Sequence, residues 1–167
     1  MRKAVHKRSG IAIALALPTM SESEGIAKNG SLCMGTSSLR VFHIMYELKI
    51  ITSFSAAHQL RNFQGACEHL HGHNWKIEVS VTSDTLNEAG IVVDFTVLKK
   101  HVNAVVAGLD HKFLNNLDPF KDQNPSSENI ARYVAEQLAP VINSPDIKVS
   151  RVAAWESETS CATYYPP

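Results

Sequence analysis

The chain has 167 residues, 44% of them apolar and 19% charged, and its 16 basic residues balance its 16 acidic ones. That length and composition suit one globular domain, and a zero net charge gives no field for nucleic acid or a membrane surface, so a small-molecule ligand is the expected partner. Three scattered cysteines, Cys33, Cys67 and Cys161, are odd in number and do not read as a disulfide framework, which points to a reducing, cytoplasmic compartment.

Residues 1–44 stand apart from the rest. The start "MRKAVHKRSG" and the short apolar run "IAIALAL" look superficially like an export signal, but no small-x-small cleavage site follows. The stretch "TMSESEGIAKNGS" is polar and has neither structural period. Residues 1–44 are therefore expected to be a disordered extension or a misassigned start, with the domain spanning 45–167.

From Met45 the chain alternates recognisable elements. "YELKIITSFSAAH" is rich in β-branched and aromatic residues and reads as a strand. In "HNWKIEVSVTS" the apolar Trp75, Ile77, Val79 and Val81 alternate with Lys76, Glu78, Ser80 and Thr82, the pattern of a half-buried strand. Turn residues in "DTLNEAG" followed by "IVVDF" suggest that this second strand folds back on itself as a hairpin. A helix is expected from about Thr96 to Leu109, with Asp94 as its cap and Val97, Leu98, Val102, Val105, Val106 and Leu109 at helical spacing. "NPSSENIARYVAEQLAPVI" predicts a second helix, capped by Ser126 or Ser127, with Glu128 in the first turn and a stripe of Ile130, Val134, Leu138 and Val141. "DIKVSRVAAW" and "SCATYY" close the chain as strands. The sum is an α+β fold with helices layered on an antiparallel sheet.

Chemistry concentrates in "CEHLHGHN", residues 67–74. His71 and His73 are two apart at the start of a strand, so both point to one face, and His58 at the end of the preceding strand can join them. Three neutral imidazoles suit Zn²⁺ and leave its fourth position open, as in a catalytic site. His69, out of register, points elsewhere. Cys67 admits three readings: a fourth zinc ligand in a closed structural site, an inert buried thiol, or a reactive thiolate. In "LDHKFLN", Asp110 precedes His111 in a loop after the first helix, where a carboxylate can orient and charge an imidazole for proton transfer. Glu156 and Glu158 in "WESETS" can share a strand face, while Trp155 and Phe113 read as core.

The ordered set "FSAAH", "CEHLHGHN", "LDHKFLN", "NPSSEN" and "WESETSCATYY" resembles the 6-pyruvoyltetrahydropterin synthase superfamily over 45–167. The three residues between Cys67 and His71 resemble its bacterial 6-carboxy-5,6,7,8-tetrahydropterin synthase branch. The resemblance implies a tunnelling fold, with a four-stranded antiparallel sheet and two helices on one face, assembling into a β-barrel of several subunits as a homohexamer. It implies Zn²⁺ on His58, His71 and His73, a thiolate at Cys67, a relay of Asp110 and His111, and Glu156 as the carboxylate that anchors a pterin triphosphate substrate. Ser157 and Glu158 depart from the family's usual Thr and Pro, so Glu158 is a second carboxylate close to that anchor. Two rivals stay open: triphosphate elimination alone, yielding a 6-pyruvoyl product, and a non-catalytic zinc module with Cys67 as fourth ligand.

Overall fold

The computed structural model describes residues 45–62 and 64–167. The expectations for residues 1–44 lie outside them. Strand β1 (Tyr46–His58) and strand β2 (His71–Ser83) pair antiparallel along their full lengths, from Tyr46 opposite Ser83 to His58 opposite His71. The alternation expected in β2 is realised: Trp75, Ile77, Val79 and Val81 are fully buried, while Lys76, Glu78 and Thr82 are partly exposed on the other face. Ser80 is the exception. It is buried despite its outward position, and its hydroxyl donates to Glu47 Oε1 at 3.1 Å.

Helix α1 (Phe95–Ala107) begins where Asp94, in extended backbone, accepts the Thr96 N–H at 2.7 Å. Such a cap is worth about 1 kcal/mol. Helix α2 (Ser127–Ile142) is capped by Ser126, which accepts from the Asn129 N–H, with Glu128 in the first turn. Both helices pack on the same side of the sheet and against each other, burying Leu98, Val102 and Val106 of α1 and Ile130, Val134 and Leu138 of α2. The α2 stripe continues four residues on through the partly buried Ile142 rather than through Val141, which is 54% exposed.

Between the helices lies β3 (Lys112–Phe113), and after α2 come β4 (Ile147–Ser157) and β5 (Ser160–Tyr164). The sheet has five strands in the order β3-β1-β2-β4-β5, one more than expected. The extra strand is β3, which runs parallel to the end of β1 with Ala56 opposite Lys112 and Ala57 opposite Phe113. Two residues are too few to display a period, so the sequence carries no signal for it. The expected β2 hairpin with "IVVDF" does not form. β2 is flanked by β1 and β4, and residues 91–94 instead lead into the Asp94 cap, with Val92 tucked into the core. Whole-length pairing with β1 and β4 outweighs a short local fold-back.

The helix-free face of the sheet is polar. On it Glu78 lies 3.4 Å from Lys49 and 3.5 Å from Lys76, and the Lys76 ammonium stands 3.9 Å over the Trp155 ring. Trp155 thus belongs to this open face and Phe113 to a pocket wall, rather than to the core. Among the described residues no helix is long and apolar enough to cross a membrane.

Candidate metal and proton-transfer site

The register of β1 on β2 decides where the histidines meet. Pairing of His58 with His71 and of Ala56 with His73 puts three imidazoles on the helix-covered face at one end of the sheet. Their ring centroids are 4.5 Å apart for His58 and His71, 5.2 Å for His58 and His73, and 4.9 Å for His71 and His73. Glu156, near the end of β4, reaches the same place, and one donor atom from each of His58, His71, His73 and Glu156 lies within 4.8 Å of the others.

Hydrogen bonds at the far side of two rings fix which nitrogen faces inward. His58 Nδ1 lies 2.8 Å from the Pro125 carbonyl oxygen and His71 Nδ1 2.7 Å from that of His69. A carbonyl oxygen only accepts, so each Nδ1 carries the proton and each Nε2 keeps its lone pair. Burial pushes the His58 imidazole below the ordinary histidine value, against the pull of the Pro125 bond, a direction that favours the neutral ring a metal ligand needs. The Nε2 atoms of His58 and His73 are buried and make no hydrogen bond. Such orphaned nitrogens normally cost about 1–3 kcal/mol each, and a cation is the partner their lone pairs fit. Three imidazoles with a carboxylate form a donor set suited to Zn²⁺.

Asp110 and His111 form the second cluster. The corner after α1 puts His111 in the left-handed region (φ 54°), and its N–H donates to the Ser55 carbonyl oxygen at 2.7 Å. The Ser55 N–H in turn donates to Asp110 Oδ1 at 2.9 Å, while Asp110 Oδ2 lies 2.8 Å from His111 Nδ1. The Ser55 N–H first, and the His111 ring second, hold the Asp110 carboxyl below its usual value. Asp110 and His111 therefore do touch, which adjacency in sequence alone does not guarantee. His111, 81% exposed, and His73 line one pocket of about 550 Å³ together with Ser55, Asn74, Lys112 and Phe113.

Cys67 lies in a 3-10 turn (Ala66–Glu68), partly exposed, and its carbonyl oxygen accepts the Leu60 N–H at 2.8 Å, two residues past His58. The fourth group gathered with the imidazoles is Glu156, and Cys67 is not among those donor atoms. Glu158 falls in the exposed turn joining β4 to β5 and does not share the site with Glu156. His69 is exposed and contributes only its carbonyl.

Sequence reasoning missed the supporting residues. Asn115 exchanges two hydrogen bonds with the Gln59 backbone (3.0 and 2.9 Å), and Asn124 does the same with the Arg61 backbone (2.8 and 2.9 Å), extending β1 with side-chain amides. Arg61 also donates to the carbonyl oxygens of Phe120, Lys121 and Gln123, which holds the segment before Pro125 against the exit of β1. The Ser127 hydroxyl donates to Glu156 Oε2 at 3.3 Å. "NPSSEN" was legible only as a helix start, yet it also supports His58 and Glu156.

Fold and site together define a protein that gathers a metal-type donor set and a hydrogen-bonded carboxylate–imidazole pair at one end of an antiparallel sheet. The model of the family described as 6-pyruvoyl tetrahydropterin synthase matches residues 47–167. A 6-carboxy-5,6,7,8-tetrahydropterin synthase of Synechocystis sp. is 39% identical over 124 residues, covering 69% of this chain and 89% of the relative. A dihydroneopterin monophosphate aldolase of Pyrococcus furiosus is 40% identical over 105 residues, covering 62% and 83%. The structure of Caenorhabditis elegans 6-pyruvoyl tetrahydropterin synthase is similar with a TM-score of 0.68 at 28% identity, over 76% of this chain and all of that one. The chain belongs to the 6-pyruvoyl tetrahydropterin synthase family, a family of pterin synthases.

Proposed function

We propose that the chain converts 7,8-dihydroneopterin triphosphate and one water to 6-carboxy-5,6,7,8-tetrahydropterin in the cytoplasm, releasing acetaldehyde and triphosphate, as a step toward 7-deazaguanine nucleosides such as queuosine. The observation that carries this reading is the convergence of three imidazoles, two with Nε2 atoms that make no hydrogen bond, at the end of β1 to which the Asp110–His111 pair is tied through Ser55. The 39% identity to the Synechocystis 6-carboxy-tetrahydropterin synthase supports the choice of product.

In this reading His58, His71 and His73 hold Zn²⁺, which supplies the Lewis acidity that makes a C–H beside the substrate's side-chain oxygens removable. Cys67 takes that proton as its thiolate, and the turn tied to Leu60 keeps it beside the exit of β1. His111 returns protons as triphosphate departs and the side chain is cut, and Asp110 orients its ring and balances its charge. Glu156 accepts two parallel hydrogen bonds from the pterin's amino and ring N–H groups.

The test is a mass-spectrometric product assay on the zinc-loaded protein with 7,8-dihydroneopterin triphosphate. Acetaldehyde together with 6-carboxy-tetrahydropterin is expected, with both lost in Cys67→Ala; a 6-pyruvoyl product would instead assign triphosphate elimination alone. The Pyrococcus relative makes dihydroneopterin monophosphate the second substrate to offer, and its cleavage in preference to the triphosphate would replace the carboxy reading.

The proposed assembly is a homohexamer of two stacked trimers with the sheets closed into a barrel. Its support is a sheet edge: among the described residues, β1 has no neighbour on its outer side before the short β3 contact at Ala56, and Ile51 is 59% exposed on the open face. A long unpaired edge invites pairing with another copy. Light scattering should return about six times the chain mass of 18.4 kDa; a monomer would overturn the assembly.

A further inference from the structure

Glu156 is placed for two tasks that exclude each other. Anchoring a pterin takes both carboxylate oxygens, one for each of two parallel N–H donors. In the structure both oxygens are already engaged at the imidazole cluster. Oε2 accepts the Ser127 hydroxyl at 3.3 Å, and Oε1 lies 3.0 Å from His73 Nε2 and 4.0 Å from His58 Nε2. The 3.0 Å contact to His73 is within ion-pair distance, but the ring nitrogen is not aligned on the carboxylate as a hydrogen-bond donor. An imidazole nitrogen and a carboxylate oxygen this close, without a proton aligned between them, are arranged as two donors facing a common point. Donors 2.0–2.2 Å from a tetrahedral Zn²⁺ are about 3.3–3.6 Å apart, and the 3.0 and 4.0 Å distances from Oε1 bracket that spacing.

The geometry points to Glu156 as the fourth metal ligand of the substrate-free protein, bound through Oε1 while Ser127 holds Oε2, and released from the metal when a pterin claims the carboxylate. The inference rests on the metal-site reading proposed above and adds a ligand exchange to it. Substrate recognition at the pterin ring then opens the coordination position used at the side chain, and without pterin the donor set stays closed to other ligands. Ser127 is a positioning residue in this exchange: its hydroxyl favours one-oxygen coordination and leaves the carboxylate free to rotate away.

The test uses Co²⁺ as the probe metal in the full chain, since its visible spectrum reports coordination number and donor type, together with chelator competition for affinity and free pterin lacking the side chain as the probe ligand. Glu156→Gln is expected to lower Co²⁺ affinity at least about tenfold, the low end of what loss of even a second-sphere partner causes, and to change the spectrum. Glu158→Gln, the same charge change in the adjoining turn, should leave both untouched. Pterin added to the wild type should move the spectrum in the direction of the Glu156→Gln protein and have little further effect on that variant. Wild-type affinity and spectrum in Glu156→Gln would overturn the exchange while leaving the three-histidine site standing. If instead the wild type takes up no Co²⁺, or His71→Ala takes it up equally well, the metal-site reading fails and the exchange with it.

Discussion

His73→Ala is expected to leave the protein folded and to strip it of metal. The ring sits near the start of β2 opposite Ala56, its buried Nε2 makes no hydrogen bond, and its 3.0 Å contact with the Glu156 carboxylate joins two partly exposed side chains, so the apo protein gains little from it. Removing an unsatisfied buried nitrogen, whose cost is about 1–3 kcal/mol, offsets the packing lost against His58 and Trp75. The apo melting temperature should therefore stay near that of the wild type. Metal affinity should fall by more than about 100-fold, beyond the loss that follows removal of a second-sphere partner. The stabilisation that added Zn²⁺ confers on the wild type, which grows with the logarithm of the metal-to-Kd ratio, should vanish with it. Metal content after dialysis and melting curves with and without Zn²⁺ measure both effects; a variant that keeps a full complement of metal would remove His73 from the ligand set.

Asp110→Asn is expected to lower kcat by about 10²–10⁴-fold, the range of a lost general acid–base contribution, with metal content unchanged. The argument is one of orientation. His111 is held by its backbone bond to Ser55 and by Asp110 Oδ2 at 2.8 Å, while its side chain is 81% exposed and has little packing to keep the ring in place. Asn keeps the size of the side chain and an oxygen to accept the Ser55 N–H, but removes the negative charge that balances a protonated imidazole. KM should change little, because neither group is assigned to the pterin ring. If His111 acts as proposed, His111→Ala and Asp110→Asn should fail to add when combined, since they disable one unit. Steady-state kinetics on the two single variants and the double variant decide it, and wild-type kcat in either single variant would dismiss the relay.

Much of the fold was legible because it is local. Strand alternation in β2, the Asp94 and Ser126 caps and the helical stripes each depend on residues within a few positions, where side-chain geometry follows directly from backbone period. The same locality made His71 and His73 readable as a pair. What failed was equally physical: "IVVDF" has strand composition, but its partner β2 is occupied on both edges, and β3 is a two-residue pairing that continues from the bond of the His111 corner to Ser55.

By sequence alone, then, the chain determined which residues are candidates for the chemistry: two histidines on one strand face, a third at the end of the preceding strand, a carboxylate next to an imidazole, and a glutamate in a late strand. Only the tertiary structure decided which of them meet. The full-length β1–β2 register brings His58 to His71, β4 delivers Glu156 to the same point, and Pro125 and Ser127 at the start of α2 support both. Those contacts join residues from different elements of the chain. Their geometry is set by strand register and by where a helix begins against the sheet, and no short stretch of chain encodes either.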